Sequence, residues 1–211
     1  MFSWLEGRKR LAEQSYINGD DTLERIMEQA AHLFSEQGYR GMSMSQLAEA
    51  CTVSKPAIYY YFRDKQELYT QMLIRQTARH HRDLDRLTAG KGIRDGLKAM
   101  VNYMYSSATY DMDGMMANIT LNLDDERRQM VAQAFERDIF GPTHALFAQG
   151  VANGELQPTI DTRMITWLFM STSVVVGKPR EMIPRHDCHG RGIADVIVDT
   201  FLDGISNKEN K

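Results

Sequence analysis

The sequence predicts an all-α protein of about nine helices, in which a small N-terminal three-helix domain precedes a larger helical body. Two observations support this fold class. Apolar residues recur at helical spacing along nearly all of the chain, and no segment shows the alternation of a strand. Capping residues, prolines and glycines divide this pattern into separate helices. With 211 residues, 43% hydrophobic and 25% charged, the chain has the composition of an ordinary globular protein.

Residues 43–65 carry the signals for two short helices joined by a tight turn. Ser43 or Ser45 can cap the first helix. Ser54 can cap the second, and Pro56 falls in its first turn, where the missing N–H breaks no intrahelical bond. The residues expected to face inward are Leu47, Ala48, Cys51, Ile58 and Phe62.

The second helix leaves Lys55, Ala57, Tyr59, Tyr60 and Tyr61 for its outer surface. A tyrosine ring can pack on a sugar or a thymine methyl, and its hydroxyl can reach a phosphate or a base edge. Such a run of aromatic residues also occurs as plain packing. The flanks favour DNA contact, because Arg63 and Lys65 follow the tyrosines and Asp64 with Glu67 forms a cap for a further helix.

The segment from Thr22 to Met72 resembles the N-terminal three-helix DNA-binding domain of the TetR family of bacterial transcriptional regulators. The family's core, turn and marker positions are occupied by Ile26, Ala30, Phe34, Gly38, Leu47, Ala48, Val53, Ser54, Ile58, Tyr59, Phe62, Lys65 and Leu68. Two residues depart from the family pattern: Thr52 replaces the usual glycine of the turn, and Tyr61 stands where histidine is common.

The resemblance implies a role for each matched position. Lys55, Ala57 and Tyr60 would lie on the groove-facing side of the recognition helix, with Lys55 reaching a guanine edge. The residues that would hold phosphates are Ser43, Ser54, Tyr59, Tyr61 and Lys65. Simple solvent exposure is the alternative for any one of them.

The charge balance limits how the chain can attract DNA. With 25 basic and 28 acidic residues the net charge is −3, which excludes a uniformly basic coat. Attraction must therefore be local, through Lys55, Arg63, Lys65 and the Arg8–Arg10 cluster.

We expect four regions along the chain. Residues 1–21 form a partly ordered basic arm, which either enters the minor groove or merely solubilises the chain. Residues 22–68 form the helix-turn-helix DNA-binding domain, residues 69–205 the effector-binding and dimerisation domain, and residues 206–211 a C-terminal tail.

No segment is expected to span a membrane or to be held by disulfides. The longest apolar run, Met164 to Gly177, has fourteen residues, against the roughly 20 that a bilayer requires. The first residues contain no apolar stretch long enough for a signal peptide. Cys51 and Cys188 give no disulfide framework and suit a reducing cytoplasm, so we expect a cytoplasmic protein.

In the body, helices are predicted from Lys65 or Gln66 to about Leu87, from Ile93 to about Thr109, through Met115 to Leu123, from Asp124 or Asp125 to Gly150, and from about Asp161 and Arg191. Two apolar stripes on the last two helices suit a symmetric four-helix dimer interface, with an intrachain core as the alternative. The interface residues would be Met164, Leu168, Ser171, Val175, Ile193, Val196, Ile197, Thr200 and Phe201.

A methionine-rich region of the body is the candidate effector pocket. Methionine is flexible and polarisable, so it lines adaptable cavities, although it also fills ordinary cores. We expect a small, largely apolar or aromatic effector. Its contacts would be Met100, Tyr103, Met104, Met115, Met116, Ile119, Trp167 and Met170, with Met112 nearby.

A metal or redox sensor is a rival hypothesis. His186, Asp187, Cys188 and His189 are all metal-ligand types, but adjacent residues cannot all turn toward one ion. His80 and His81 are the distant side chains that could complete such a site. We expect neither a metal nor a cofactor. No sequence signature of an enzyme is present, so we do not expect catalysis.

The sequence therefore predicts a homodimeric repressor that binds an inverted-repeat operator in double-stranded DNA. An effector would release it by favouring a form in which the two recognition helices no longer match successive major grooves. The alternative is a ligand-independent DNA-binding adaptor that engages a protein partner.

Overall fold

The computed structural model describes the backbone of residues 3–106, 112–173 and 190–205, and their side chains except at positions 3–20, 106, 112–114, 173 and 205. These ranges contain α-helices and no strand, which confirms the all-α prediction. The helices are α1 Ser3–Gly41, α2 Met44–Ala50, α3 Lys55–Tyr61, α4 Lys65–Thr88, α5 Ile93–Ser106, α6 Met112–Asn122, α7 Asp125–Phe135, α8 Gly141–Ala152, α9 Thr162–Ser173 and α10 Ile193–Ile205.

The chain divides into two compact units. The first runs to Leu73 and also takes in Leu121–Arg128 from the junction of α6 and α7. The second comprises residues 74–120 and 129 onward. The division between them falls inside α4, after Leu73, whereas the sequence placed it after residue 68. Residues 121–128 were not expected in the first unit.

Helix α1 begins at Ser3, so the segment expected as a partly ordered arm has helical backbone. Near its other end, Gly38 has a φ of 67° and a non-helical backbone, which bends the chain before α2. Glycine adopts this left-handed conformation without steric cost. The core of the unit is built from Ile26, Ala30, Phe34, Leu47, Ala48, Ile58, Phe62 and Leu68, all of them buried.

The caps of α2 and α3 are those that the sequence indicates. The Ser43 hydroxyl accepts a bond from the Gln46 backbone N–H at 3.2 Å, and the Gln46 side chain accepts from the Ser43 N–H at 2.8 Å. The Ser54 hydroxyl accepts from the Ala57 N–H at 3.3 Å. Between these helices Thr52 has a φ of 55°, the conformation for which the family pattern places a glycine.

The core of the second unit lies mainly among α5, α8, α9 and α10, and α4 contributes Leu84. Its members are Leu84, Ile93, Leu97, Met100, Val101, Leu146, Phe147, Leu156, Phe169, Ala194, Val198 and Leu202. Ion pairs reinforce the contact between α5 and α10: Arg94 Nη2 lies 3.1 Å from Asp203, and Lys98 Nζ lies 2.9 Å from Asp195 and 3.1 Å from Asp199.

The helix predicted as continuous from Asp124 or Asp125 to Gly150 contains a π-helical turn, Glu136–Phe140, between α7 and α8. Pro142 explains it. Proline has no N–H to donate to the carbonyl four residues back, at Asp138, and its ring crowds that carbonyl. Widening the turn relieves this conflict within a continuous helical segment.

Candidate functional site

The register of α3 is fixed by its buried side. Ile58 is fully buried and Phe62, the C-terminal cap residue, is 1% exposed. Both lie in the same unit as Leu47 of α2, which is also fully buried. Because these positions are four apart, they direct one side of α3 toward the core and leave the opposite side facing outward.

The outer side of α3 presents Lys55, Tyr59 and Tyr60 to solvent, and Tyr60 is 84% exposed. Ala57 is half-buried. Tyr61 is also half-buried, and its ring meets the edge of the Tyr60 ring at a centroid distance of 5.2 Å. An almost fully exposed tyrosine and an exposed lysine on one short helix are side chains suited to the major groove, since one offers a ring and a hydroxyl and the other a cation.

The two capping serines are both exposed. Each hydroxyl accepts a bond from its own helix, which occupies a lone pair and leaves the O–H proton free to donate. A phosphate oxygen at either helix N-terminus would meet that proton and the positive end of the helix dipole. The geometry at Ser43 and Ser54 is therefore compatible with the predicted phosphate contacts.

Lys65 has an internal role in this unit. Its ammonium donates to the Met42 carbonyl at 2.5 Å and lies 4.5 Å from the centre of the Tyr39 ring. Burial lowers the pKa of this lysine. These contacts connect the start of α4 to the residues between α1 and α2. A phosphate bound by Lys65 would therefore have to share its ammonium with the Met42 carbonyl and the Tyr39 ring.

Sequence reasoning missed Arg127. Its Nη2 donates to the Asp64 carboxylate at 2.8 Å and its Nη1 to the Gln66 side-chain oxygen at 3.3 Å. Asp64 caps α4 by accepting from the Glu67 N–H at 2.7 Å, as predicted. Arg127 lies 63 positions beyond Asp64, and no periodicity or local motif signals a contact at that separation.

The predicted effector residues occupy different environments. Met100 belongs to the buried core, Ile119 is buried, Met104, Met115 and Met170 are half-buried, and Met116 is 51% exposed. The Trp167 ring packs on Phe140 at a centroid distance of 4.9 Å and is 45% exposed. The Met112 side chain lies outside the described residues.

Tyr103 takes part in a polar network that the sequence did not indicate. Its hydroxyl lies 2.7 Å from Nδ1 of His80 and donates to Asp83 at 3.0 Å. Burial lowers the pKa of His80 more than the Asp83 charge raises it, which favours a neutral imidazole near pH 7. His80, one of the distant metal candidates, therefore has a hydrogen-bonding partner of its own.

The second unit also contains a surface cavity of about 550 Å³. Its walls are Asp85, Thr88, Ala89, Gly90, Lys91, Gly92, Pro142, Ala145, Leu146 and Gln149. None of the predicted effector residues is among them, so the methionine-rich region and this cavity are separate places.

The predicted dimer residues fall into two groups. Met164, Leu168, Ser171 and Thr200 are exposed, with Met164 at 59% and Leu168 at 51%. Val196 is half-buried. By contrast, Ile193, Ile197 and Phe201 are partly buried against the core of their own unit, and Phe201 meets Phe169 and Phe147 edge-on. Val175 lies outside the described residues.

Residues 186–189, the loop on which the rival metal-sensor hypothesis rests, lie outside the described residues. Elsewhere in the described part of the chain no three His, Cys, Asp or Glu side chains are grouped so that they could hold a metal ion. Cys51 is buried with a free thiol. Over the same residues, no helix combines the length and the apolar character needed to cross a bilayer.

Comparison with known proteins points to the same domain. The family model described as bacterial regulatory proteins, tetR family, matches residues 26–72. The HTH-type transcriptional regulator AcrR of Shigella flexneri is 32% identical over 62 residues, which are 29% of each chain. The HTH-type transcriptional regulator RutR of Escherichia coli K12 is 29% identical over 155 residues, 70% of each chain. The match to AcrR thus spans under a third of that relative's length.

The fold similarity reaches further than the sequence similarity. The structure of the transcriptional regulator FadR of Bacillus subtilis in complex with stearoyl-CoA matches with a TM-score of 0.69 at 16% identity, over 87% of this chain and 99% of that one. The fold thus extends through the body as well as the N-terminal domain. The capped α2 and α3, the buried Ile58 and Phe62 and the matched residues 26–72 together show that the N-terminal domain of this chain is similar to that of the tetR family of bacterial regulatory proteins.

Proposed function

We propose that this protein is a homodimeric, effector-responsive repressor that binds an inverted-repeat DNA operator through α3. One observation carries the proposal: α3 is held by Ile58 and Phe62 while Lys55 and Tyr60 stand out from it into solvent. A short, rigidly anchored helix with exposed base-reading side chains is what major-groove recognition requires.

Within this surface the residues have separate tasks. Lys55, Ala57 and Tyr60 are assigned to the choice of sequence; Lys55 and Tyr60 are exposed, and Ala57 is half-buried. The hydroxyls of Ser43, Ser54, Tyr59 and Tyr61, together with Lys65, hold phosphates and fix the register. The net charge of −3 means that binding depends on these local contacts.

Selection of bound fragments from genomic DNA by the purified protein tests the proposal. We expect an enriched inverted repeat whose half-sites are one helical turn, about 34–36 Å, apart. The substitution K55A should relax the base preference in each half-site and cost about 1–3 kcal/mol of binding free energy. Recovery of no enriched repeat by the wild-type protein would contradict the proposal.

The matched control is K91A. Lys91 is also exposed and its loss removes the same charge, but it lies in the second unit, after α4. We expect K91A to leave the selected sequence unchanged. A Y60F variant distinguishes the ring of Tyr60 from its hydroxyl. If the variant keeps the base preference of the wild-type protein, recognition is assigned to the ring. If the base preference is lost, recognition is assigned to the hydroxyl.

The effector is proposed to be a small, largely apolar molecule. The half-buried Met104, Met115 and Met170 support this, since thioethers adapt to apolar shapes. The similarity to FadR, whose structure holds stearoyl-CoA, favours an acyl or similarly apolar group. Such a molecule lowers operator affinity only to the extent that it binds the released form more tightly, typically by 1–3 kcal/mol.

Acyl-CoA thioesters of increasing chain length and a set of aromatic compounds are suitable probes. We expect at least one class to raise the melting temperature and, in the same concentration range, to release a labelled operator fragment. Substitution of Met104 or Met170 by glutamine should weaken both effects and leave operator binding without effector unchanged. If no probe changes operator affinity while a protein partner binds the body, the adaptor alternative holds.

A further inference from the structure

Arg127 belongs to the same compact unit as the recognition helix, although it lies far along the chain. It stands at the start of α7, in the segment Leu121–Arg128. Its side chain is only 19% exposed, which is low for an arginine on a small domain. An arginine buried to this extent requires partners for its charge and its donors.

Those partners lie at the turn that follows the recognition helix. Nη2 reaches the Asp64 carboxylate at 2.8 Å, and Nη1 reaches the Gln66 amide oxygen at 3.3 Å. Asp64 ends the connection between α3 and α4 and caps α4, and Gln66 lies in the first turn of α4. A planar guanidinium can donate to two such acceptors at once and fix their relative position. The ammonium of a lysine, on its flexible side chain, cannot do this.

A carboxylate three residues earlier in the chain also holds the Arg127 guanidinium. Asp124 accepts from the Arg127 backbone N–H at 2.9 Å and also pairs with its guanidinium. That backbone hydrogen bond and the Arg127 charge hold the pKa of Asp124 below its ordinary value. Asp124 therefore limits the positions that the Arg127 side chain can take.

From these contacts we infer that Arg127 is a positioning residue for DNA recognition: by holding Asp64 and Gln66, it fixes the turn after α3 and so the orientation of Lys55 and Tyr60 toward DNA. This inference rests on the proposed DNA-binding function. Arg127 itself touches no base. It acts through the turn after α3. A change in the conformation of residues 121–128 would alter the orientation of the recognition helix through the same contacts.

The test compares R127Q with R128Q in the full chain. Arg128 is the next residue, pairs with the 94% exposed Asp125, and loses the same charge in the variant, so the long-range attraction for DNA falls equally. The operator is the inverted repeat that the wild-type protein selects. Affinity is measured at several salt concentrations, after stoichiometric titration has given the fraction of active protein.

We expect R127Q to bind the operator about tenfold more weakly than R128Q, with the same dependence on salt. R127K, which keeps the charge without the fork, should recover only part of the loss. Because titration corrects for unfolded molecules, a role limited to stability would leave the affinity of the active fraction unchanged. D64N/R127Q should bind no more weakly than R127Q alone, since asparagine can still cap α4.

Equal affinities for R127Q, R128Q and wild type would overturn this inference and leave the proposed function standing. The inference would also be overturned if the salt dependence of operator binding showed about one fewer released counterion in R127Q but not in R128Q. Arg127 would then be a direct phosphate contact. Wild-type protein that selects no operator would instead remove the proposed function itself.

Discussion

Thr52 lies in the turn between α2 and α3, at a position where the tetR family pattern has a glycine. Its φ of 55° is a left-handed conformation, which costs a β-branched residue about 1–2 kcal/mol. Glycine avoids that cost but loses about 0.5–1 kcal/mol through its greater freedom in the unfolded chain. We expect T52G to raise the free energy of unfolding by about 0.5–1 kcal/mol, measured by urea denaturation.

T52A serves as the control for this prediction. Alanine shortens the side chain but keeps the Cβ atom that disfavours the left-handed region, so no comparable gain should appear. If T52A stabilises the protein as much as T52G does, the Thr52 hydroxyl or its branching, and not the backbone angle, is responsible.

Lys65 and Lys55 form a second comparison at the residue scale, because one is internal and the other exposed. K65M removes the bond to the Met42 carbonyl and the contact with the Tyr39 ring. We expect it to lower the unfolding free energy by about 1–2 kcal/mol. K55M should stay within about 0.5 kcal/mol of wild type. Thermal and urea melts of the two variants measure the difference, and equal stabilities would contradict the internal role of Lys65.

At the scale of the element, the π-helical turn brings a buried carboxylate to α4. Asp138 is 3% exposed, and its Oδ2 lies 2.9 Å from the Thr77 hydroxyl and 2.6 Å from Arg137 Nη2. The hydrogen bond from Arg137 holds the pKa of Asp138 below its ordinary value of 3.8, although burial opposes this. D138N should lower stability at pH 7 by about 2 kcal/mol.

The pH dependence of this effect has a definite sign. A carboxyl with a lowered pKa in the folded state contributes its stability fully above the unfolded value, and that contribution is lost as the pH falls through the folded value. The stability difference between wild type and D138N should therefore be constant from pH 7 to about 5 and shrink below about 3.8. D125N, at an exposed position, should show no such difference. A gap that widens in acid would contradict this account.

The helices show what local sequence signals can and cannot predict. Caps and breakers act within a few residues, so Ser43, Ser54 and Asp64 correctly marked the starts of α2, α3 and α4. The effect of Pro142 is equally local, yet the prediction of one uninterrupted helix overlooked it. Thr77 and Asp138 are 61 positions apart in the sequence, and only the tertiary fold brings them into contact. No residue pattern in either helix predicts that contact.

At the scale of the whole molecule, the exposed apolar residues of α9 are the basis for the proposed dimer. Met164, Trp167 and Leu168 are each 45–59% exposed on one helix. Their spacing makes these residues neighbours on the helix surface, and exposed apolar patches are typical of interaction surfaces. L168E should convert the dimer to a monomer, as measured by light scattering, and weaken operator binding at least about 100-fold, because one half-site contact is then lost from each complex.

The control is M130E, on α7, where Met130 is 44% exposed. It places the same new charge on a comparably exposed methionine outside the α9 stripe. We expect M130E to remain dimeric and to bind the operator normally. A monomeric wild-type protein, or dimeric L168E, would contradict the assignment of α9 to the interface.

The membership of Leu121–Arg128 in the unit that holds α3 bears on how such regulators can be recombined. A biosensor chimaera joined at a single point within α4 would carry Asp64 and Gln66 from one parent and position 127 from the other. The donor body would then have to supply an arginine there. We expect chimaeras that graft residues 121–128 along with the N-terminal segment to keep operator recognition more often than those built from a single crossover.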